Sequence, residues 1–438
     1  MPGISIPVAE AEAEGIKQKG SFADMFRGAD GRSYAVPFML VCTLFFLWGF
    51  TNGMLDVLNK QFQNSLGLSK AASGLVQSAN FIAYFVMALP AGYLAKRLGY
   101  KGGIITGLVL VAAGCFWFLP ATQIGTFGAF LFGIFVLASG VTCLETIANP
   151  YSTVLGPPRM AAARINMAQT LNGVGLVLGP MGGHFFLSDT HEVNRSNANV
   201  FIPYAGVGLL AVILTVLFFV SRVPDVQAEE EAKAERTGQS TVPLWRRPHF
   251  VFGVVSQFLY VGVQSAIFGF FINYIVAEMP SLGYRPSDSD AGKLLQGAFL
   301  LFLLGRFTGS IALRYFTPNK VLGWYALIGT VLSLLVMQQF GWVSVIALFG
   351  TFFLMSIMFP TIFSLGIHGV GEHTKRASSF IVMAIVGGAV TPPLMGRLAD
   401  MFNMRTSFLV PFLCFAGIAA YGLAWQKLHD KSVVAKAR

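Results

Sequence analysis

Long apolar runs, each closed by a short polar link, repeat along the chain from about residue 36 to residue 426. A helix that crosses a bilayer needs about 20 mostly apolar residues. Twelve runs meet that length, near 36–63, 72–97, 102–121, 124–154, 163–187, 200–221, 249–278, 291–315, 320–338, 342–367, 376–398 and 405–426. Links such as "LGYKG" and "FTPNK" hold neighbours together. One long polar link, "SRVPDVQAEEEAKAERTGQSTVPLWRRPH", divides the runs into two sets of six. The pattern predicts an all-α integral membrane protein: a tail at 1–34, a six-helix half at 35–221, a linker at 222–248, a second half at 249–427 and a short tail at 428–438. The acidic opening "MPGISIPVAEAEAEGIKQKGSFADMF" has no signal-peptide pattern and reads as a disordered cytoplasmic tail.

Composition agrees with this pattern. Of 438 residues, 55% are hydrophobic and 11% charged, against roughly 25% charged in a soluble domain. The mean hydropathy is +0.65. The formal net charge of +10 raises the question of nucleic acid. The positive residues are scattered between apolar runs and form no basic domain, so the lipid bilayer is the expected partner and nucleic acid is not. With both termini in the cytoplasm, 22 of the 30 Lys and Arg fall inside. Seven fall outside (Lys60, Lys70, Arg195, Arg285, Lys293, Arg397, Arg405), and Arg306 lies within a helix, where it snorkels or joins the halves. That bias sets the orientation and places the chain in the cell's inner (plasma) membrane. Cys42, Cys115, Cys143 and Cys414 sit in apolar runs without ligand spacing, which excludes a zinc or disulfide framework. No cofactor is expected.

The halves repeat one another. Gly92 and Arg97 in "AGYLAKRLGYK" match Gly309 and Arg314 in "TGSIALRYFTPNK". Pro150, Arg164 and Pro180 match Pro360, Arg376 and Pro392, at offsets of 210, 212 and 212. Two six-helix halves in parallel repeat are the architecture of major-facilitator transporters, whose substrate site lies between the halves near the bilayer midplane. The loop "GYLAKRLGYK" departs from the superfamily pattern G-x-x-x-D-R-x-G-R-R/K at Lys96, where Asp is usual.

Polar side chains inside these runs then become the candidate chemistry. A carboxylate at the centre of a membrane helix costs at least about 2.5–3.5 kcal/mol on insertion scales. Glu145 and Asp56 are two such groups. Trp48, Asn52 and Asp56 recur every four residues, on one helix face. Glu145 and Asn149 are i,i+4; Gln169 and Asn172 are i,i+3; Gln257, Tyr260 and Gln264 form one stripe. Asn80 adds an amide in the second run. A shared cavity collects such groups, and carboxylate, amide and phenol complement sugar hydroxyls, which both donate and accept. Trp48, Phe50, Tyr84, Tyr260 and Phe268 are candidates to pack on a pyranose ring. Desolvation disfavours the charged form of a carboxylate, so proton uptake lowers the penalty of closing apolar walls around it. Protonation is thereby linked to accessibility, as symport requires. No G-x-x-x-x-G-K-[ST] loop is present, so the expected energy source is an ion or solute gradient.

The segments "FFLWGFTNGMLDVLNKQFQ", "GLVQSANFIAYFVMALPAGYLAKRLGYKGGIITGL", "CLETIANPYSTVLGP", "NMAQTLN", "SQFLYVGVQSA", "GRFTG", "FPTIFSLGI" and "SSFIVMAIVGGAVTP" resemble the fucose–proton symporter family of major-facilitator transporters, from about Ala35 to Trp425. The resemblance implies twelve helices, alternating access and proton-coupled uptake of a monosaccharide; a monomer is the expected state. It places the family's coupling Asp on Asp56, its second acid on Glu145 and its polar pair on Gln169 and Asn172. "TNGMLD", Asn80 and Asn273 depart from the fucose carrier's pattern. The family also holds glucose/galactose and N-acetylglucosamine carriers, some driven by sodium, so a sodium-coupled symporter is the alternative. Drug–proton antiport is a weaker one: "GLVLGPMGG" is one residue short of the antiporter motif, and Gly175, Gly179 and Gly183 have a packing explanation. An intramembrane enzyme has no catalytic signature at either acid. A sugar receptor that does not transport is a further alternative.

Overall fold

The computed structural model describes residues 22–27, 31–66, 70–188, 201–221, 243–338 and 340–437, with the side chains of 22–23, 55–75, 77–78, 180–188, 288–289, 372 and 432–437 outside that description. The described residues are almost wholly helical. In chain order they form α1 (Ala35–Leu66), the 55-residue helix Lys70–Ile124, α4 (Phe127–Val154), α5 (Ala161–Ser188) and α6 (Phe201–Val220). After the linker come α7 (Pro248–Glu278), α8 (Asp288–Ala312), α9 (Pro318–Met337), α10 (Trp342–Gly366), α11 (Thr374–Met401) and α12 (Leu409–Ala437).

The helix Lys70–Ile124 would be about 80 Å long at 1.5 Å per residue, far more than the ~30 Å hydrocarbon core. It breaks at Gly99 (φ 68°, ψ −177°), a left-handed conformation that only glycine adopts without penalty. The two arms are α2 (70–98) and α3 (100–124). Ten stretches among the described residues are long and apolar enough to cross a membrane. Taking the two arms separately and adding α5 gives twelve. The outward faces carry apolar side chains such as Val216, Val331 and Ile346 (51–66% exposed), a continuous apolar exterior that suits lipid.

Glycines set the closest helix contacts. A Cβ at Gly49 would meet the backbone of Asn172, and one at Gly175 or Gly179 would meet the backbone of α1 at Phe46, Phe50 and Gly53. This is small-residue packing of the membrane kind, and it accounts for Gly175 and Gly179 without an antiporter function. Lys101, just past the Gly99 break, donates to the last carbonyls of α6, Phe219 O at 2.8 Å and Ser221 O at 3.0 Å. A cation there satisfies both the open carbonyls and the helix dipole.

The expected tail at 1–34 is corrected in part. Phe22–Phe26 is a 3₁₀ turn with Met25 and Phe26 buried. The Phe26 ring packs 4.9 Å from Phe38, and the Phe26 carbonyl accepts from Tyr34 N at 2.7 Å. Arg164, completely buried, secures the turn. Its guanidinium donates to the carbonyls of Met25 and Pro157 at 3.0 Å, Ser152 at 3.1 Å and Gly156 at 3.2 Å, and also to Thr153. The repeat partner Arg376 is exposed and stacks on Phe380 instead. The α4–α5 loop, the α10–α11 loop and both described chain ends lie on one face, called the terminal face below: Met25 meets Gly156 there, and His429 lies against His368.

Arg164→Met keeps the apolar stem and removes all five carbonyl contacts. Each net hydrogen bond contributes about 1 kcal/mol, so a fall of several degrees in the melting temperature of detergent-purified protein is expected. An unchanged melting temperature would show that the loop and the turn are held by packing alone.

Candidate functional site

Two prolines prepare the centre of the molecule. Proline has no N–H, so in a helix the carbonyl four residues earlier loses its donor. Pro150 in α4 frees the Thr146 carbonyl, and Ser378 Oγ of α11 donates to it at 2.6 Å. Pro360, its repeat partner in α10, frees the Ser356 carbonyl, and Arg306 Nε of α8 donates to it at 3.2 Å. The backbone of α10 is broken at the same place, between Met355 and Met358. Each half thus offers a helix-interior carbonyl to a side chain at the seam.

Arg306 continues across that seam. Its Nη1 donates to Gln169 O at 2.6 Å and to Asn172 Oδ1 at 2.9 Å, both on α5 of the other half. Asn172 Nδ2 in turn donates to Phe45 O of α1 at 3.3 Å. The Phe302 ring lies 4.6 Å under the guanidinium. Gly173 has no side chain to obstruct this approach; a Cβ there would stand 3.0 Å from Leu303. Arg306 therefore joins the halves and does not snorkel.

Above Arg306 lies a cavity of about 180 Å³. Its walls are Trp48 and Asn52 from α1, Asn80, Phe81 and Tyr84 from α2, Glu145 from α4, Gln169, Asn172 and Leu176 from α5, Val261 and Gln264 from α7, Arg306, Phe359 from α10 and Ile385 from α11. Both Glu145 carboxylate oxygens are sealed from solvent and make no hydrogen bond among the described residues. The Tyr84 hydroxyl and, from across the cavity, the Arg306 charge are the groups that act on the carboxylate. A buried polar group left unpaired costs about 1–3 kcal/mol, and more when charged.

Six of the side chains singled out in the sequence meet here: Asn52, Asn80, Glu145, Gln169, Asn172 and Gln264. Asp56 lies on the α1 backbone, but its side chain is outside the described residues. Asn149, Gln257 and Tyr260 are absent from the cavity wall. Tyr260 is buried and donates to Met355 O at 3.0 Å, another carbonyl at the α10 break. Among the aromatics, Trp48 and Tyr84 reach the cavity. Phe268 is packed among Phe299, Phe302 and Phe352, and Phe50 on Phe46. The apolar wall residues Phe81, Leu176, Val261, Phe359 and Ile385 carry no signal in a chain this apolar. The terminal face is closed beneath the cavity. Gly92 of α2 packs against Ser379 of α11, Asn166 Nδ2 donates to Thr361 Oγ1 at 3.2 Å, and Lys375 sits 5.2 Å over the Tyr100 ring.

The model of the family described as Major Facilitator Superfamily matches residues 39–388. The chain belongs to the major facilitator superfamily. This major facilitator is 40% identical over 408 residues to the L-fucose-proton symporter of Escherichia coli (strain K12), a match that covers 88% of this chain and 92% of that one. It is 37% identical over 399 residues to the glucose/galactose transporter of Brucella abortus biovar 1 (strain 9-941), with 90% and 95% covered. A crystal structure of the major facilitator FucP in the outward conformation matches with a TM-score of 0.79 at 38% identity, over 90% of this chain and 99% of that one. The chain is a multi-pass membrane protein with the fold these relatives share.

Arg306→Lys keeps the charge but cannot serve Ser356 on one side and Gln169 and Asn172 on the other. A lower melting temperature and weaker solute binding are expected together, both read from thermal shift with and without solute. Retention of both values would show that the seam is held elsewhere.

Proposed function

We propose that this chain imports a neutral monosaccharide together with a proton, by alternating access between its two halves. The observation that carries the reading is the buried, unpaired Glu145 carboxylate in a small cavity walled by amides and aromatic rings. Hydroxyl groups both donate and accept, so they can serve the amides of Asn52, Asn80, Gln169, Asn172 and Gln264 and the carboxylate at once. Trp48 and Tyr84 supply ring faces for the apolar side of a pyranose. The described wall carries one acid and one guanidinium, which suits a neutral solute. Pockets for drug-sized ligands run from about 300 Å³ upward, so a cavity of about 180 Å³ fits a single sugar ring better than an amphipathic drug. The names of the relatives, an L-fucose-proton symporter and a glucose/galactose transporter, support the same class.

The charge bias makes the terminal face cytoplasmic and the inner (plasma) membrane the site of action. The structure then has its cytoplasmic side shut below the cavity. Asp56 takes a proton from outside, and sugar binds against Glu145, Gln169, Asn172 and Gln264. With its acids neutral, the site can be enclosed by the apolar wall of Phe81, Val261, Phe359 and Ile385 at lower cost. The contacts at the terminal face then part, and sugar and proton leave inside. The protein works as a monomer and as a carrier, with no catalytic step and no bound cofactor.

Proteoliposomes under an imposed pH gradient, with and without sodium, offered labelled glucose, galactose, fucose and N-acetylglucosamine, test this reading. Uphill accumulation of one sugar that collapses with the pH gradient is expected. Accumulation that follows sodium would move the coupling role to a cation, and no accumulation of any sugar would overturn the substrate class. Asp56→Asn, which mimics the protonated acid, should abolish uphill uptake and spare exchange of labelled sugar. Glu145→Ala should weaken binding itself, and unchanged affinity would leave Glu145 a structural role.

A further inference from the structure

Directly below the cavity, towards the terminal face, four buried side chains hold polar atoms with no hydrogen bond among the described residues. They are Thr146 Oγ1 and Asn149 Nδ2 on α4, Asn166 Oδ1 on α5, and both amide atoms of Gln257 on α7. None of the four residues is more than 1% exposed. Buried polar atoms in native proteins are mostly paired, and other buried hydroxyls of this chain follow that rule. Thr142, Ser152, Thr330, Ser333, Thr351 and Thr361 each donate their hydroxyl to a carbonyl of their own helix at 2.6–2.9 Å.

The contacts around them put these atoms in one layer. The Thr146 carbonyl is bonded to Ser378 of α11, and Asn166 Nδ2 to Thr361 of α10. On α7, Gly253 faces Gly366 of α10, while Tyr260 bonds to Met355 of α10. The two helices are antiparallel there, so Gln257 falls between, at the level of Thr361. Gln257 is also one and two turns below Val261 and Gln264, which line the cavity. Asn149 stands one turn below Glu145, and its Oδ1 accepts from Gln169, a cavity residue, at 3.4 Å. The layer is thus continuous with the cavity above and sealed by the closed terminal face below. Thr146, Asn149 and Asn166 belong to one half and Gln257 to the other, so separation of the halves at this face would bare them on opposite walls.

We propose that Thr146, Asn149, Asn166 and Gln257 form a second, release-side subsite for the hydroxyls of the transported sugar, hidden while the terminal face is closed. This rests on the sugar-transport reading above. The unpaired atoms include donors (Asn149 Nδ2, Gln257 Nε2), acceptors (Asn166 Oδ1, Gln257 Oε1) and a hydroxyl that does both. They carry no charge. That set complements a neutral polyhydroxylated solute and its water; a cation would call for carboxylates, and a phosphate for basic groups. The unpaired atoms also bias the closed face towards opening, since only the open state offers them partners.

The test uses the full chain in proteoliposomes of defined orientation, with whichever labelled sugar the wild type carries. Thr146→Val and Gln257→Leu remove the hydrogen-bonding atoms at similar volume. A lost hydrogen bond of about 1 kcal/mol corresponds to about fivefold in affinity. The half-saturation for efflux from the terminal side should therefore rise about fivefold or more in each variant. The half-saturation for uptake from the opposite side should stay within about twofold, which also shows that the variant is folded. Gln257→Cys gives a second readout, because the four native cysteines are buried. A membrane-impermeant thiol reagent should label it from the terminal side only when sugar and proton drive turnover. Efflux and uptake constants that move together, or labelling of Gln257→Cys that is independent of sugar in a protein that still transports, would overturn the subsite while leaving sugar transport intact. A wild type that carries no sugar would remove the underlying reading, and the subsite with it.

Discussion

At the floor of the cavity, one buried guanidinium reaches from one half of this transporter to the other. Arg306 is held by Ser356 in its own half and by Gln169 and Asn172 in the other. Asn172 passes the connection on to Phe45 of α1. Movement of one half against the other must break or rebuild this set, and it forms the floor of the cavity where solute would sit. The Glu145 carboxylate faces the same space unpaired. The two charges on the described cavity wall, Glu145 and Arg306, thus stand on opposite halves with the cavity between them.

The arrangement depends on a defect shared by both repeats. Pro150 and Pro360 each remove one helix hydrogen bond, and each exposed carbonyl becomes an acceptor at the seam. A helix that satisfies its own backbone offers lateral partners nothing. One that skips a single N–H offers a directional contact in the middle of the membrane. Gly49 and Gly175 then allow backbones to approach closely, and Gly173 leaves room for the Arg306 side chain. Backbone interruption and small residues together place polar contacts where lipid would otherwise forbid them.

Much of this was legible in the chain as written. Hydropathy gave the spans and the division into halves, because a bilayer demands long apolar helices. The cost of a charge in lipid singled out Glu145, and the offsets of 210 and 212 paired the prolines. Asn149, Gln257 and Tyr260 stand off the cavity wall, because periodicity reports a face but not the depth along it. Trp48, Asn52 and Glu145 are at cavity depth; Gln257 is a turn too low, and the Tyr260 hydroxyl is taken up by Met355. Phe50 and Phe268 pack against other rings, and aromatic residues are too common throughout the interior to single out the ones at the cavity. The ordered turn at Phe22–Phe26 went unseen, since its anchor is Arg164, more than a hundred residues later. Long-range satisfaction of backbone carbonyls leaves no local trace in sequence.

The central claim is that the closed terminal face opens when sugar and proton are both bound. Its most direct test is the distance between spin labels on Lys96→Cys and Arg376→Cys, two exposed positions, one on α2 and one on α11, measured by pulsed electron resonance in liposomes. Addition of the transported sugar at acidic pH should shift the distribution to longer distances, and sugar or acid alone should shift it less. A distribution unchanged by sugar and proton together would contradict the account.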